Sequence, residues 1–144
     1  MASNDLSRII RSYIDAVNAD NPRLVEPLLA DNVKWSSPAG KRTGPEETRK
    51  YMERWFTAFP DLKLEQINTI LGEDQAAVEC KLVGTHQGNF VSDLGQFTPT
   101  QKRISVDLIN LLTIRNGKIS EIRVFYDSAE IMDQLGFQVE KRAA

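Results

Sequence analysis

Apolar positions recur at helical spacing up to residue 59, and from residue 61 onward they alternate instead. Leu6, Ile9, Ile10, Tyr13, Ile14 and Val17 form one stripe, which predicts an amphipathic helix over 4–19. Asn21-Pro22 opens a second, shorter helical pattern through Leu24, Val25, Leu28 and Leu29, and Asp31-Asn32 ends it. Val33-Lys34-Trp35 reads as a brief extended piece before the loop chemistry of Ser36-Ser37-Pro38-Ala39-Gly40. Gly44-Pro45 then supplies a favourable first turn for a third helix over 45–58, whose Tyr51, Met52, Trp55, Phe56 and Phe59 make one aromatic stripe. Pro60 stops it.

The alternating segments predict strands over 62–71, 75–86, 103–115 and 118–126. Gly72-Glu73-Asp74 and Asn116-Gly117 are turns between neighbours, so these strands pair antiparallel in sequence order. The connection 87–102, with Gly88, Gly95 and Pro99, is either a loop over a site or an irregular hairpin tip. After Tyr126 helical spacing returns with Ile131, Met132 and Leu135. Helices first, a long meander next and a short terminal helix last describe one α+β domain over 1–144. The helices must cover one face of its antiparallel sheet.

Composition narrows the chemistry. The chain has 41% hydrophobic and 26% charged residues, the balance of a globular domain with one core. The opening MASNDLSRII has no basic-then-apolar signal pattern, and no apolar run nears the ~18 residues of a membrane span, so a cytoplasmic protein without membrane contact is expected. A net charge of −2 without a basic block argues against nucleic acid. Cys80 and His86 are the only cysteine and histidine, so no disulfide within the chain and no metal site of Cys and His are expected. Neither a GxGxxG nor a GxxxxGK[ST] pattern is present, and no nucleophile elbow, so no cofactor is expected. What remains is carboxylate general acid/base chemistry in an apolar pocket that takes a small molecule.

Polar residues on apolar faces are the candidates. His86 shares a face with Ala76, Val78, Cys80 and Leu82, and reads either as a buried imidazole satisfied by backbone or as a catalytic one. Asn110 lies among Ile104, Val106, Leu108, Leu112 and Ile114, as a core amide or a pocket-lining group. In the last strand Ile122, Val124 and Tyr126 oppose Arg123, Phe125 and Asp127, and periodicity leaves open which set faces inward. Asp127 stands where the period changes from strand to helix, with Glu130 three residues on, so it can be a helix cap or an acid/base group.

The succession Asp31-Asn32-Val33-Lys34-Trp35, Gly44-Pro45-Glu46, Trp55-Phe56-Thr57-Ala58-Phe59-Pro60-Asp61-Leu62, Gly84-Thr85-His86-Gln87-Gly88, Asn116-Gly117-Lys118-Ile119-Ser120-Glu121, Tyr126-Asp127 and Gln134-Leu135-Gly136 resembles the SnoaL-like polyketide cyclases. Each piece is short, and their order over nearly the whole chain carries the likeness. The resemblance implies the cone-shaped α+β fold named after nuclear transport factor 2, a curved antiparallel sheet with the N-terminal helices packed on its concave face and a short C-terminal helix. It also implies a cofactor-independent cyclase or isomerase that enolises a polyketide-like molecule and closes a ring by intramolecular aldol addition. It places the catalytic acid at Asp127, with His86 polarising a carbonyl or positioning that carboxyl. Tyr13, Trp35, Tyr51, Trp55, Phe59, Asn110 and Phe125 are the expected substrate contacts. Thr98-Pro99-Thr100-Gln101 departs from the family's usual turn, and Leu112 stands where a second polar partner would be sought, so the substrate is the open point.

Two other readings stay open. Epoxide hydrolysis on the same scaffold needs an arginine and a second aspartate converging with Asp127, and Arg123, Arg103 and Asp107 are the available residues. A non-catalytic binding or dimerisation module is the other. Ile67, Ile109 and Leu111 fall on the face opposite the core, a row that predicts a homodimer with sheets back to back.

Overall fold

A computed structural model describes residues 3–92 and 95–137. Helix α1 spans Ser3–Asn18 and buries its predicted stripe, Leu6, Ile10, Tyr13, Ile14 and Val17. The expected second helix is instead two 3-10 turns, Pro22–Leu24 and Glu26–Leu28. Pro22 and Pro27 each remove a backbone donor, so a continuous α-helical ladder cannot run through the segment. Strand β1, Leu29–Ser37, starts where that helix was expected to end and folds back on β2, Gly40–Thr43, which the loop-like composition had concealed. Helix α2 spans Pro45–Ala58 with Pro45 in its first turn, as predicted.

Strands β3 (Lys63–Leu71), β4 (Gln75–Thr85), β7 (Arg103–Arg115) and β8 (Lys118–Tyr126) form the meander. Between β4 and β7, Phe90–Ser92 (β5) and Gly95–Phe97 (β6) pair as a small separate hairpin. The main sheet is six-stranded, in the order β2-β1-β8-β7-β4-β3. It is a curled, mixed sheet rather than a wholly antiparallel one, because β1 runs parallel to β8 with Trp35 opposite Ile122. A tight turn cannot make a parallel pair, so the whole chain between the two strands serves as the crossover.

Alternation divides the sheet into two faces. Ala76, Val78, Cys80 and Leu82 of β4, and Ile104, Val106, Leu108, Asn110, Leu112 and Ile114 of β7, are buried. Ile122 and Val124 of β8 are buried with them, while Arg123 and Phe125 face out, which fixes the parity that periodicity left open. The inner face shares one core with α1 and α2. Asn18 ties α1 to β3 in both directions: its amide donates to the Leu64 carbonyl at 3.0 Å and its oxygen accepts the Leu64 N–H at 2.8 Å. Gly88 donates its N–H to the Ala58 carbonyl, and a Cβ there would collide with the Thr57 carbonyl, so this chain crossing accepts only glycine. The last helix, α3, covers Ser128–Gln134 and is pinned to β7 by Gln134, which accepts the Ser105 N–H at 2.7 Å and donates to its carbonyl at 3.0 Å.

Candidate functional site

Between the inner face of the sheet and the two long helices lies a cavity of about 70 Å³. At roughly 10–15 Å³ per enclosed water it holds a handful of waters, or a single ring. Tyr13 from α1, Trp35 from β1, Tyr51 and Trp55 from α2, and Tyr126 from β8 supply its aromatic walls, and Asn110 from β7 is the one amide on it. Leu64, Leu82, Leu108 and Val124 complete an aliphatic floor. Among the described residues that line it, none carries a carboxylate, an imidazole or a cationic group.

The rings are fixed by one another. Trp55 stacks on Phe59 at 5.8 Å between centroids, meets Phe90 of β5 at 4.8 Å and presents an edge to Tyr126 at 6.0 Å. Phe59, an expected substrate contact, is fully buried behind Trp55 rather than on the cavity wall. Phe125 faces the opposite side of the sheet, 48% exposed, because it has the outward parity of β8. Its neighbour Tyr126 takes the place foreseen for it, and the signal was available: Tyr126 shares its parity with Ile122 and Val124.

Polar groups in this setting are few. Asn110 donates to the Cys80 sulfur at 3.8 Å, a weak contact, and its amide oxygen takes no hydrogen bond among the described residues. Burial pushes the Cys80 thiol up to about 11, the Asn110 bond partly opposing, so it stays a protonated core group. Burial likewise raises the phenols of Tyr13 and Tyr126 above their ordinary 10.0, which keeps both neutral.

His86 is fully buried and off the cavity wall, its ring 5.3 Å from that of Phe59, which itself stands behind Trp55. Its Nδ1 accepts the Thr100 N–H at 3.2 Å and lies 3.1 Å from the Thr100 hydroxyl, while among the described residues Nε2 makes no hydrogen bond of good geometry and has only the nearby Gly88 and Phe97 backbone. Acceptance at Nδ1 places the neutral ring's proton on Nε2. Burial holds the imidazole below its usual 6.5, with the Gly88 and Phe97 backbone opposing. His86 also exchanges backbone bonds with Gln101 and Lys102, so it anchors the base of the β5–β6 excursion.

Asp127 is exposed and caps α3, accepting the N–H groups of Ala129 at 2.9 Å and Glu130 at 3.4 Å. The structure does not bring its carboxylate to the cavity. Asp107 pairs with Lys81 at 3.1 Å on the outer face with its side chain 72% exposed, and Arg103 is exposed, so the convergence needed for epoxide hydrolysis is not formed. Among the described residues no group of three or more His, Cys, Asp or Glu could hold a metal ion, and no helix is long and apolar enough to cross a membrane.

The fold built from these elements is shared with known proteins. The model of the SnoaL-like polyketide cyclase family matches residues 7–135. The chain belongs to the SnoaL-like polyketide cyclase family. TsrD from Streptomyces laurentii has the same fold, at a TM-score of 0.82 and 22% identity over 96% of this chain and 99% of that one. AclR from Streptomyces galilaeus follows at 0.78 and 25% identity, covering 90% and 94%. IdmH from Streptomyces antibioticus gives 0.74 and 21%, covering 90% and 97%. No curated protein sequence matches the chain. Both N-terminal and C-terminal halves of this SnoaL-like domain contribute to the cavity walls, Tyr13 at one extreme and Tyr126 at the other.

Proposed function

We propose that the protein is a cofactor-independent cyclase of polyketide-like molecules that acts by folding a carbonyl-bearing chain in its aromatic cavity. The observation that carries this reading is the wall itself: aromatic side chains from four elements, α1, β1, α2 and β8, and the Asn110 amide around an apolar space. Aromatic walls offer contact area to a flat, conjugated segment without competing for its oxygens. A carbon between two carbonyls forms its enol readily. Held against a ketone or aldehyde of the same molecule, the enol carbon forms the new C–C bond, and the enol proton passes to the oxygen that becomes the hydroxyl. Enforced proximity is the main contribution asked of the protein, and such confinement is worth up to roughly 7–11 kcal/mol in well-oriented cases. Asp127 and His86 lie outside this scheme, the first as a helix cap and the second as a loop anchor.

The absence of any carboxylate or imidazole from the described wall favours a second reading, a binding protein that holds such molecules without turnover. The relatives leave both open, since AclR is a proposed hydroxylase and IdmH a proposed polyketide cyclase. Incubation with a β-diketone whose chain carries a further ketone, placed so that the doubly activated carbon can close a six-membered ring on it, separates the two. The cyclase reading expects closure well above the buffer rate and its loss in Trp55→Ala. Saturable binding of the diketone with closure at the buffer rate would establish the binding protein instead.

A further inference from the structure

The aromatic cavity has room for a single ring, and one part of its wall is set from behind. Tyr13, Trp35 and Tyr51 are buried, while Trp55 and Tyr126 are half-buried. The Tyr126 hydroxyl is tied to the hydroxyls of Tyr51 and Ser37, whereas the Trp55 indole is placed by ring contacts. Behind it stand Phe59 at 5.8 Å and Phe90 at 4.8 Å between centroids, neither of them on the cavity wall. Phe59 belongs to the main fold. It is fully buried at the end of α2, its N–H donates to the Trp55 carbonyl at 2.8 Å, and a Cβ on Gly84 of β4 would meet its Cβ at 3.2 Å. Phe90 comes from elsewhere: β5 pairs with β6 in a two-stranded sheet separate from the six-stranded one. Its ring is 8% exposed and leans on Phe59 at 5.9 Å and on Phe97 of β6 at 6.4 Å. The ring that backs Trp55 most closely is therefore supplied by an excursion outside the main sheet.

Packing of this kind fixes volume. A buried ring cut back to a methyl leaves a void that its neighbours fill only in part, and an apolar void of ring size takes an apolar group. Behind Trp55, such a void would let the indole turn away from the cavity, so that space opened behind the wall is gained in front of it. The floor has no equivalent freedom, because Leu82, Leu108 and Val124 are carried by strands paired on both sides. We propose that Phe90 determines the size of ligand this site accepts: by holding Trp55 against the cavity it confines the ligand to one ring. The reaction is then the closure of a single six-membered ring, not the fusion of a second ring onto an existing one. Phe90 is a positioning residue, acting through Trp55 without touching the ligand. The inference rests on the reading of the cavity as a ligand site, and it adds how large an occupant that site takes.

Acetophenone and 2-acetylnaphthalene test it, since they share an acetyl group and differ by one fused ring. The larger compound has more apolar area to bury and would bind more tightly if it fitted. Calorimetric titration of the wild-type protein should instead show acetophenone binding about tenfold more tightly, because the second ring overpacks the site. Phe90→Ala should reverse the order, with 2-acetylnaphthalene gaining about tenfold over its wild-type affinity. Phe90→Leu keeps an apolar side chain on the hairpin; it should shift the ratio the same way by a smaller factor, and it carries the test if Phe90→Ala does not fold. Loss of a merely structural ring would weaken both compounds alike, so the ratio of the two affinities is the readout. A wild-type ratio in the folded variants, or a wild-type preference for the two-ring compound, overturns the role of Phe90 and leaves the cavity as a ligand site. Failure of both compounds to bind wild type and variants overturns the cavity reading and the inference together.

Discussion

Asp127 Oδ1 accepts the backbone N–H of Ala129 at 2.9 Å, and this bond closes the first turn of α3. Aspartate and asparagine cap helices about equally, and alanine costs ~0.5–2 kcal/mol. Asp127→Asn should therefore melt within a degree or two of the wild type, and Asp127→Ala measurably lower. Neither change should alter the rate of ring closure by folded protein. A hundredfold loss of turnover in a folded Asp127→Asn variant would reinstate the carboxylate as the base.

Asn110 is buried on the inner face, where its amide makes one weak contact, to the Cys80 sulfur. Leucine at that position would match Leu108 and Leu112 beside it and replace a weakly bonded amide by an apolar side chain. Asn110→Leu should raise stability by about 1 kcal/mol in denaturant unfolding and weaken binding of carbonyl ligands by up to tenfold. A destabilised Asn110→Leu variant would show that the amide serves the core and not the ligand.

Much of this architecture was legible along the chain, and the illegible parts share a cause. Asn116-Gly117 announced a hairpin, and both residues adopt positive φ, 52° and 76°, as a tight primed turn demands. The parity of β4 and β7 followed from alternation because each has a polar edge to contrast with its apolar one. In β8 the outward set contains Phe125 and the inward set Tyr126, so hydrophobicity alone did not rank the faces, and Phe125 was placed on the wrong one. The β1–β8 pairing joins segments far apart in sequence, and no local propensity encodes it. Pro27 interrupts a stripe that otherwise has good helical spacing, and the stripe outweighed it. Trp35, Tyr51 and Trp55 could be named as aromatic wall residues from spacing and resemblance.

His86 gives the protein a defined acid sensitivity. Its folded-state pKa lies below the ordinary 6.5 because the ring is buried. The unfolded chain takes up a proton below that pH which the folded chain resists, so stability is complete above pH 6.5 and declines as the pH falls through it. Melting temperature should fall between pH 7 and pH 5, with the β5–β6 segment losing hydrogen-exchange protection first. His86→Asn retains an acceptor for the Thr100 N–H and should flatten this part of the profile. A wild-type profile already flat over that range would contradict the assignment.

On the outer face Phe125 stands directly opposite Ile109 across β7 and β8, and both are exposed along with Ile67 and Ile70. We expect this apolar row to be covered by the same face of a second copy. Sedimentation should give a dimer at micromolar concentration, and Phe125→Asp should yield monomer without loss of secondary structure. A monomeric wild-type protein under those conditions would leave the row without a partner.

The parallel pairing of β1 with β8 also sets an order on assembly. β1 is made early, yet its only partner besides the short β2 is completed at Tyr126. Until the last strand emerges during synthesis, Trp35 and Ser37 have no sheet to join, whereas β3, β4 and β7 can already zip through local turns. The nascent chain therefore carries β1 without its long partner until β8 follows, and the space between the helices and the sheet becomes enclosed only once Tyr126 has been made.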